Sequence, residues 1–180
     1  MKKYNYIKIL LFTLLISFTF YSCKKANNNT AKPNIIVFIA DDVSWDDIGS
    51  YGNDFVKTPN IDKLAKNGIR FTNAYLTTSS CSPSRNSIIT GRYPHNTGAA
   101  ELHTEPPLDM ISLPEILKDN GYYTLQAGKF HMGEYAKRGF DEVHDKKSIN
   151  GLGGENYWVK AVENRPIDKP FFMWFASYDA

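Results

Sequence analysis

The chain has 180 residues, 42% hydrophobic, 22% charged and 14% aromatic, a balance that excludes wholesale disorder, a collagen-like repeat and a coiled coil. Its formal charge is +2, but without Lys2, Lys3 and Lys8 at the front the 21 basic residues become 18 against 19 acidic ones, which leaves no basic footprint for nucleic acid. Two cysteines exclude a mini-protein stapled by disulfides.

Met1 to Lys8 is a short basic segment, and Ile9 to Phe20 is apolar apart from Thr13, Ser17 and Thr19. That run falls short of the ~20 residues a membrane span needs, so residues 1–22 are expected to be a secretory signal. Ser22-Cys23 followed by two lysines resembles a bacterial lipoprotein cleavage site. The resemblance implies lipidation of Cys23, attachment to a membrane through that anchor, and export to the periplasm or the outer membrane. An ordinary cleaved signal with an incidental cysteine is the alternative. Residues 23–33, with three consecutive asparagines and nothing apolar larger than alanine after Cys23, are expected to be a polar tether. The folded part is then 34–180.

Asn34 to Ala40 (NIIVFIA) is a nearly continuous apolar run rich in β-branched residues, the pattern of a strand covered on both faces of a parallel sheet. Thr58-Pro59-Asn60 opens a helix with Ile61, Leu64 and Ala65 on one face and Gly68 as its stop. Ile69 to Leu76 reads as a strand. Ser82 to Thr90 reads as a helix, with Pro83 in its first turn and Gly91 after its end. Leu113 to Asn120 is a helix stopped by Gly121, Tyr122 to Ala127 a strand, Glu155 to Glu163 a helix, and Pro170 to Ser177 another buried strand. Strands alternating with helices predict an α/β fold with a mainly parallel sheet. Such sheets bind ligands beyond the carboxyl ends of their strands, so the residues just after Ala40, Ala127 and Ser177 are candidates on physical grounds.

Asp41 and Asp42 follow the first strand directly. Two adjacent carboxylates at a strand end need a positive neutraliser, and a hard cation, Ca²⁺ or Mg²⁺, suits their oxygens; capping of a loop is the alternative. Asp46 and Asp47 either assist or are merely solvated. Cys81-Ser82-Pro83-Ser84-Arg85 follows a predicted strand and opens a helix. A residue there meets free N–H groups and the positive end of the helix dipole, which favour an anion and a thiolate. Arg85 lies one turn on, able to point at the same anion. A nucleophilic and a buried structural cysteine are equally compatible with that placement.

The stretches NIIVFIADDVSWDDIGSYG, TPNIDKLAKNGIRFTNAY, CSPSRNSIITGRYPHNTG, LPEILKDNGYYTLQAGKFHMG and KPFFMWFASYDA, in that order, resemble the N-terminal half of the type I, formylglycine-dependent sulfatases. The segment GAAELHTEPP is weakly similar to the heparan N-sulfatase (sulfamidase) branch. The resemblance implies an alkaline-phosphatase-like α/β/α sandwich, incomplete at the C-terminus, and hydrolysis of sulfate esters or N-sulfate groups on glycans or other small sulfated molecules. It implies that a maturation enzyme oxidises Cys81 to formylglycine. Hydrated, this aldehyde carries one hydroxyl to attack sulfur and a second whose deprotonation ejects sulfate. It further implies that Asp41, Asp42 and modified Cys81 bind Ca²⁺ or Mg²⁺, that Arg85 stabilises the diol and the anion, and that Lys129 and His131 of GKFH contact sulfate and diol. Phe130 stands where tryptophan is commoner in the family.

Outside that set, His95 is expected to be structural, His103 to stay clear of substrate, Ser84 to hydrogen-bond at the helix start, and Trp45 and Tyr51 to pack. The family's further metal ligands, a substrate histidine and a second lysine lie past the point where this chain stops, so these residues alone are expected to be a poor catalyst with an exposed sheet edge. The rival functions are a phosphatase or phosphonate hydrolase of the same superfamily and a non-catalytic lipoprotein that binds sulfated glycans. A Cys23–Cys81 disulfide is the bland account of both cysteines.

Overall fold

Four strands organise the structure, a computed structural model that describes residues 31–178. The expected signal and Cys23 lie outside the described residues. The strands are β1 (Ile35–Ile39), β2 (Tyr123–Gly128), β3 (Glu142–His144) and β4 (Phe171–Ala176). They lie in the order β1-β4-β2-β3, every pair parallel. The helices are α1 (Pro59–Asn67), α2 (Cys81–Thr90), α3 (Leu113–Asp119), α4 (Glu134–Lys137), α5 (Lys147–Asn150) and α6 (Trp158–Glu163), with short 3-10 turns at Trp45–Asp47, Gly49–Tyr51 and Pro94–Asn96.

The two inner strands show why an unbroken apolar run is needed here. In β4 (FFMWFA) every residue is buried. Phe172, Trp174 and Ala176 pack with Ile89 of α2 and with Tyr135 and Ala136 of α4, joined by Leu117 of α3. Phe171, Met173 and Phe175 pack on the opposite face with Ala161 of α6. This alternation is the period of two of a strand whose faces are both covered by helices, and it makes the expected α/β layering a property of the molecule.

Two sequence expectations need correction. The first concerns β1, which is an edge strand among the described residues. Ile35, Val37 and Ile39 pack against the core, but Ile36 and Phe38 stay exposed, with the Phe38 ring against those of Trp158 and Phe175. The second concerns Ile69 to Leu76, which forms no strand. Ile69, Phe71, Tyr75 and Leu76 are exposed, and the segment is held by the Tyr51 hydroxyl on the Phe71 carbonyl and by Arg70 on the Ser50 carbonyl. β-Prone residues without a neighbouring ladder have nowhere to place their backbone hydrogen bonds.

Register fixes what stands at the carboxyl edge. Ile39 pairs with Ala176, and Ala176 with Gly128, so the chain leaves β1, β4 and β2 at one level. Asp41, Ser177 and Lys129 are therefore brought side by side at the edge where parallel sheets bind ligands.

Candidate active site

The edge is tied together by short polar links. Ser177 N–H donates to the Ile39 carbonyl at 3.1 Å, Lys129 N–H donates to the Ala176 carbonyl at 3.0 Å, and Asp41 N–H donates to Ser177 Oγ at 3.1 Å. The exit from β2 depends on Gly128. Its φ is +93°, and a Cβ there would lie 1.9 Å from the Ala176 carbonyl oxygen, a conformation and a closeness that only glycine tolerates. Buried Gln126 donates from Nε2 to the Gly128 carbonyl at 2.8 Å and fixes the same turn.

Asp41 is buried, and its charge is balanced within the chain. Arg85 Nη2 lies 3.2 Å from Asp41 Oδ1, and Lys129 Nζ pairs with Asp41 Oδ2. Arg85 also donates from Nη1 to the Lys129 carbonyl at 2.8 Å. Burial pulls the Arg85 guanidinium below its ordinary value, and Asp41, with a smaller contribution from Cys81, pushes it back up. The neutraliser that the Asp41-Asp42 pair requires is thus supplied first by Arg85 and Lys129. Asp42 is exposed. Asp47 caps the turn that follows, accepting from Ser44 N–H at 2.8 Å, and so is occupied by local structure.

Cys81, a free thiol, is the first residue of α2, with extended Ser80 before it. Ser82, Ser84, Arg85, Asn86 and Ser87 are buried despite their polarity, and Gly91 closes the helix in the left-handed conformation at φ 67°. Asp41, Asp42, Ser80, Cys81, Ser84 and Arg85 line one cavity of about 550 Å³, whose apolar wall includes Phe38, Trp45, Leu76 and Ile88. Trp45, expected to pack, is largely exposed at its rim and meets Tyr51 edge-on, with centroids 6.3 Å apart. His131 faces an adjoining cavity of about 380 Å³ with Ser82, His103, Glu105 and Phe130. Burial lowers the His131 pKa below 6.5, reinforced by His103, Lys129 and Arg85 and opposed by Asp41.

The structure thus brings Asp41, Asp42, Cys81, Arg85 and Lys129 together and sets His131 just beside them. For a metal the donors fit in kind and not in number. Asp41 spends both oxygens on cations, and among the described residues no three His, Cys, Asp or Glu side chains converge as ligands. Sequence reasoning missed Ser177 as the anchor of Asp41. It also set aside His103, whose Nδ1 lies 3.0 Å from His131 Nε2. Backbone conformation marks the same place: among the described residues, the non-glycine residues with positive φ are Asp42 at 53°, His103 at 65° and His131 at 47°. Strain of this kind, ~1–3 kcal/mol per residue, clusters where a protein binds or reacts.

Comparison with known proteins supplies the family. The family model "Sulfatase" matches residues 33–179. An ulvan-active sulfatase of Formosa agariphila is 43% identical over 156 residues, which are 86% of this chain and 31% of that protein. An N-acetylgalactosamine-6-O-sulfatase of Bacteroides thetaiotaomicron is 42% identical over 123 residues, 66% of this chain and 24% of that one. Among solved structures, BT4656 in complex with its substrate D-glucosamine-2-N,6-O-disulfate aligns with a TM-score of 0.72 and 27% identity, covering 81% of this chain and 34% of its own. The chain spans under a third of the length of these curated relatives, and the shared architecture is the alkaline-phosphatase-like α/β fold. With a match that runs from Pro33 through the last strand, the chain belongs to the sulfatase family.

Proposed function

We propose that these residues form the nucleophile side of a sulfatase that removes sulfate from glycans. The observation that carries this reading is the meeting of Cys81, Arg85, Asp41 and Asp42 around one cavity at the carboxyl edge of a parallel sheet. Cys81 opens a helix of ten residues, where unpaired N–H groups and the helix dipole favour an anion. Arg85, held in place by Asp41 and the Lys129 carbonyl, adds a fixed fork of donors suited to a sulfate group. Lys129 contributes a second cation from the neighbouring strand end.

In this reading a maturation enzyme oxidises Cys81 to formylglycine. One hydroxyl of the hydrated aldehyde attacks sulfur while the bond from sulfur to the leaving oxygen or nitrogen breaks. Proton loss from the other hydroxyl then expels sulfate and restores the aldehyde. An ordinary serine lacks that second hydroxyl and would be left as a stable sulfate ester. His131, kept neutral near pH 7 because burial lowers its pKa, is the group assigned to move that proton. Asp41 and Asp42 are two carboxylates for a divalent ion of the Ca²⁺ or Mg²⁺ class, which when bound polarises sulfate oxygens. They fall well short of the six to eight oxygens that Ca²⁺ takes.

A sulfated sugar as substrate is supported by the relatives, whose names specify N-acetylgalactosamine 6-O-sulfate and ulvan, and by the solved complex with a glucosamine disulfate. Export as a Cys23-anchored lipoprotein belongs to the same reading. Among the described residues no helix is long and apolar enough to cross a membrane.

The test is mass spectrometry of the Cys81 peptide from protein co-produced with a maturation enzyme, paired with turnover of an aryl sulfate and an aryl phosphate. An aldehyde mass on Cys81 is the expected result, with sulfate release from these residues alone slow. Preference for the phosphate would move the chain to phosphatase chemistry, and sulfated-sugar binding without turnover to a binding protein. An unmodified thiol in a fully active enzyme would overturn the role given to Cys81.

A further inference from the structure

We propose that His103 is the positioning residue of His131: its Nδ1, 3.0 Å from His131 Nε2, holds that ring in one orientation and one neutral tautomer, leaving Nδ1 as the working nitrogen. This rests on the reading of His131 as a proton-moving group of the candidate site.

Three independent features converge on the pair. The first is the contact itself. Two imidazoles at this distance with centroids 4.9 Å apart share one proton along the N···N line, so one ring donates and the other accepts. The proton state of His131 Nε2 is then coupled to that of His103 Nδ1, and in a neutral ring it sets that of His131 Nδ1. The second is the backbone. His103 and His131 both occupy the left-handed region, which side chains larger than glycine adopt rarely and at a cost. Two such residues facing each other from loops 28 positions apart are held there by their surroundings. The third is the anchor of His103. Its N–H donates to Ser82 Oγ at 3.0 Å, and Ser82 is the neighbour of Cys81 at the start of α2. The position of His103 is therefore keyed to the helix that carries the nucleophile.

On the other side of the ring, His131 Nδ1 is buried and has no hydrogen-bond partner. A buried nitrogen left unpaired is destabilising, a cost that a substrate or a hydrated aldehyde removes on arrival. The lowering of the His131 pKa, caused first by burial and next by His103, favours the neutral ring, in which Nδ1 and Nε2 hold one proton between them.

The experiment is nitrogen-15 spectroscopy of the histidine rings in the whole chain and in its His103→Asn variant, with kcat and KM for an aryl sulfate measured on the matured protein. Asparagine is tolerated in the left-handed region, so the loop is kept while the ring is removed. The wild-type chain should show His131 as a single neutral tautomer with a hydrogen-bonded Nε2. His103→Asn should show His131 exchanging between both tautomers, with kcat lowered roughly 10-fold or more and KM changed little. His103→Gln, with an amide in reach of Nε2, should restore part of the locked signal. Identical His131 ring signals in wild type and folded His103→Asn would overturn the proposal, and so would two tautomers in the wild type. The wild-type spectrum decides even if the variants do not fold. An unmodified Cys81 in wild type matured with the modifying enzyme would count against the proposed function, and the ring signals would still decide the role of His103.

Discussion

At Gly128 the backbone turns with φ at +93° directly beneath the Ala176 carbonyl, and the sequence G-K-F-H owes its first letter to that contact. Gly128→Ala sets a Cβ against a main-chain oxygen of the central strand, where neither partner can move without breaking the β2–β4 ladder. The expected loss is about 2–4 kcal/mol, read as a drop in thermal midpoint of roughly 5–15 °C; an unchanged midpoint would refute this account of the turn. Asp41 and Asp42 separate in the same way. Asp41→Asn leaves Arg85, whose side chain is 3% exposed, and Lys129 without their counter-charge, a loss of about 3 kcal/mol or more. Asp42→Asn alters an exposed residue whose backbone asparagine also adopts, a change of about 0.5 kcal/mol or less. Urea unfolding of the two variants distinguishes a buried charge partner from a surface carboxylate. Equal losses would mean that Arg85 and Lys129 do not depend on Asp41.

The strands show what a single sequence makes legible and what it withholds. β2 and β4 are readable because a strand covered on both faces must be apolar throughout, and β1 shares that pattern although its outer face is half bare. Ile69 to Leu76 has the same β-branched and aromatic content, but composition records only what a segment can pair with, not whether a neighbour is present. β3 is illegible for the opposite reason. Its three residues, Glu142-Val143-His144, carry no pattern and are strand only because β2 offers them a register. Asp41 and Lys129 were accessible from the rule that ligands gather past strand ends. His103 was not, since a loop has no periodicity and its approach to His131 depends on the path of the whole chain. β3 also carries a prediction of its own. The Tyr123 hydroxyl donates to Glu142 at 2.7 Å, and that bond, ahead of the His144 contact, holds the Glu142 carboxyl below its ordinary 4.5. A depressed carboxyl stabilises the fold above the unfolded value and loses that contribution as pH falls through the folded one. Tyr123→Phe should therefore cost about 0.5–1 kcal/mol at neutral pH, the low end reflecting a half-exposed acceptor, and the variant should lose less than wild type between pH 5 and pH 3 in paired denaturant titrations, estimates that follow from the same linkage. A variant with an unchanged acid limb would show that the hydroxyl does not hold Glu142.

Over the whole molecule the polar and apolar accounts do not balance equally. The helices of one face and α6 of the other close over β2 and β4, while Phe38 is 57% exposed, Leu76 67% and Ile88 42%, and all three line the wall of the candidate site cavity. Apolar side chains grouped around a concave site are where a soluble chain meets a partner surface, a ligand or another copy of itself. Among the described residues β1 adds an unpaired ladder edge beside them, the arrangement most prone to pairing between chains. The described residues are therefore expected to bind a hydrophobic reporter dye and to self-associate increasingly as their concentration rises. Phe38→Ser combined with Leu76→Ser should weaken both dye binding and light scattering while leaving the sheet intact, because both side chains are more than half exposed, Phe38 touching the cluster around Phe175 only from its rim. A chain that scatters as a monomer and leaves the dye dark at the same concentration would mean that this wall is covered in solution, and the burial pattern of β1 would then have to be redrawn.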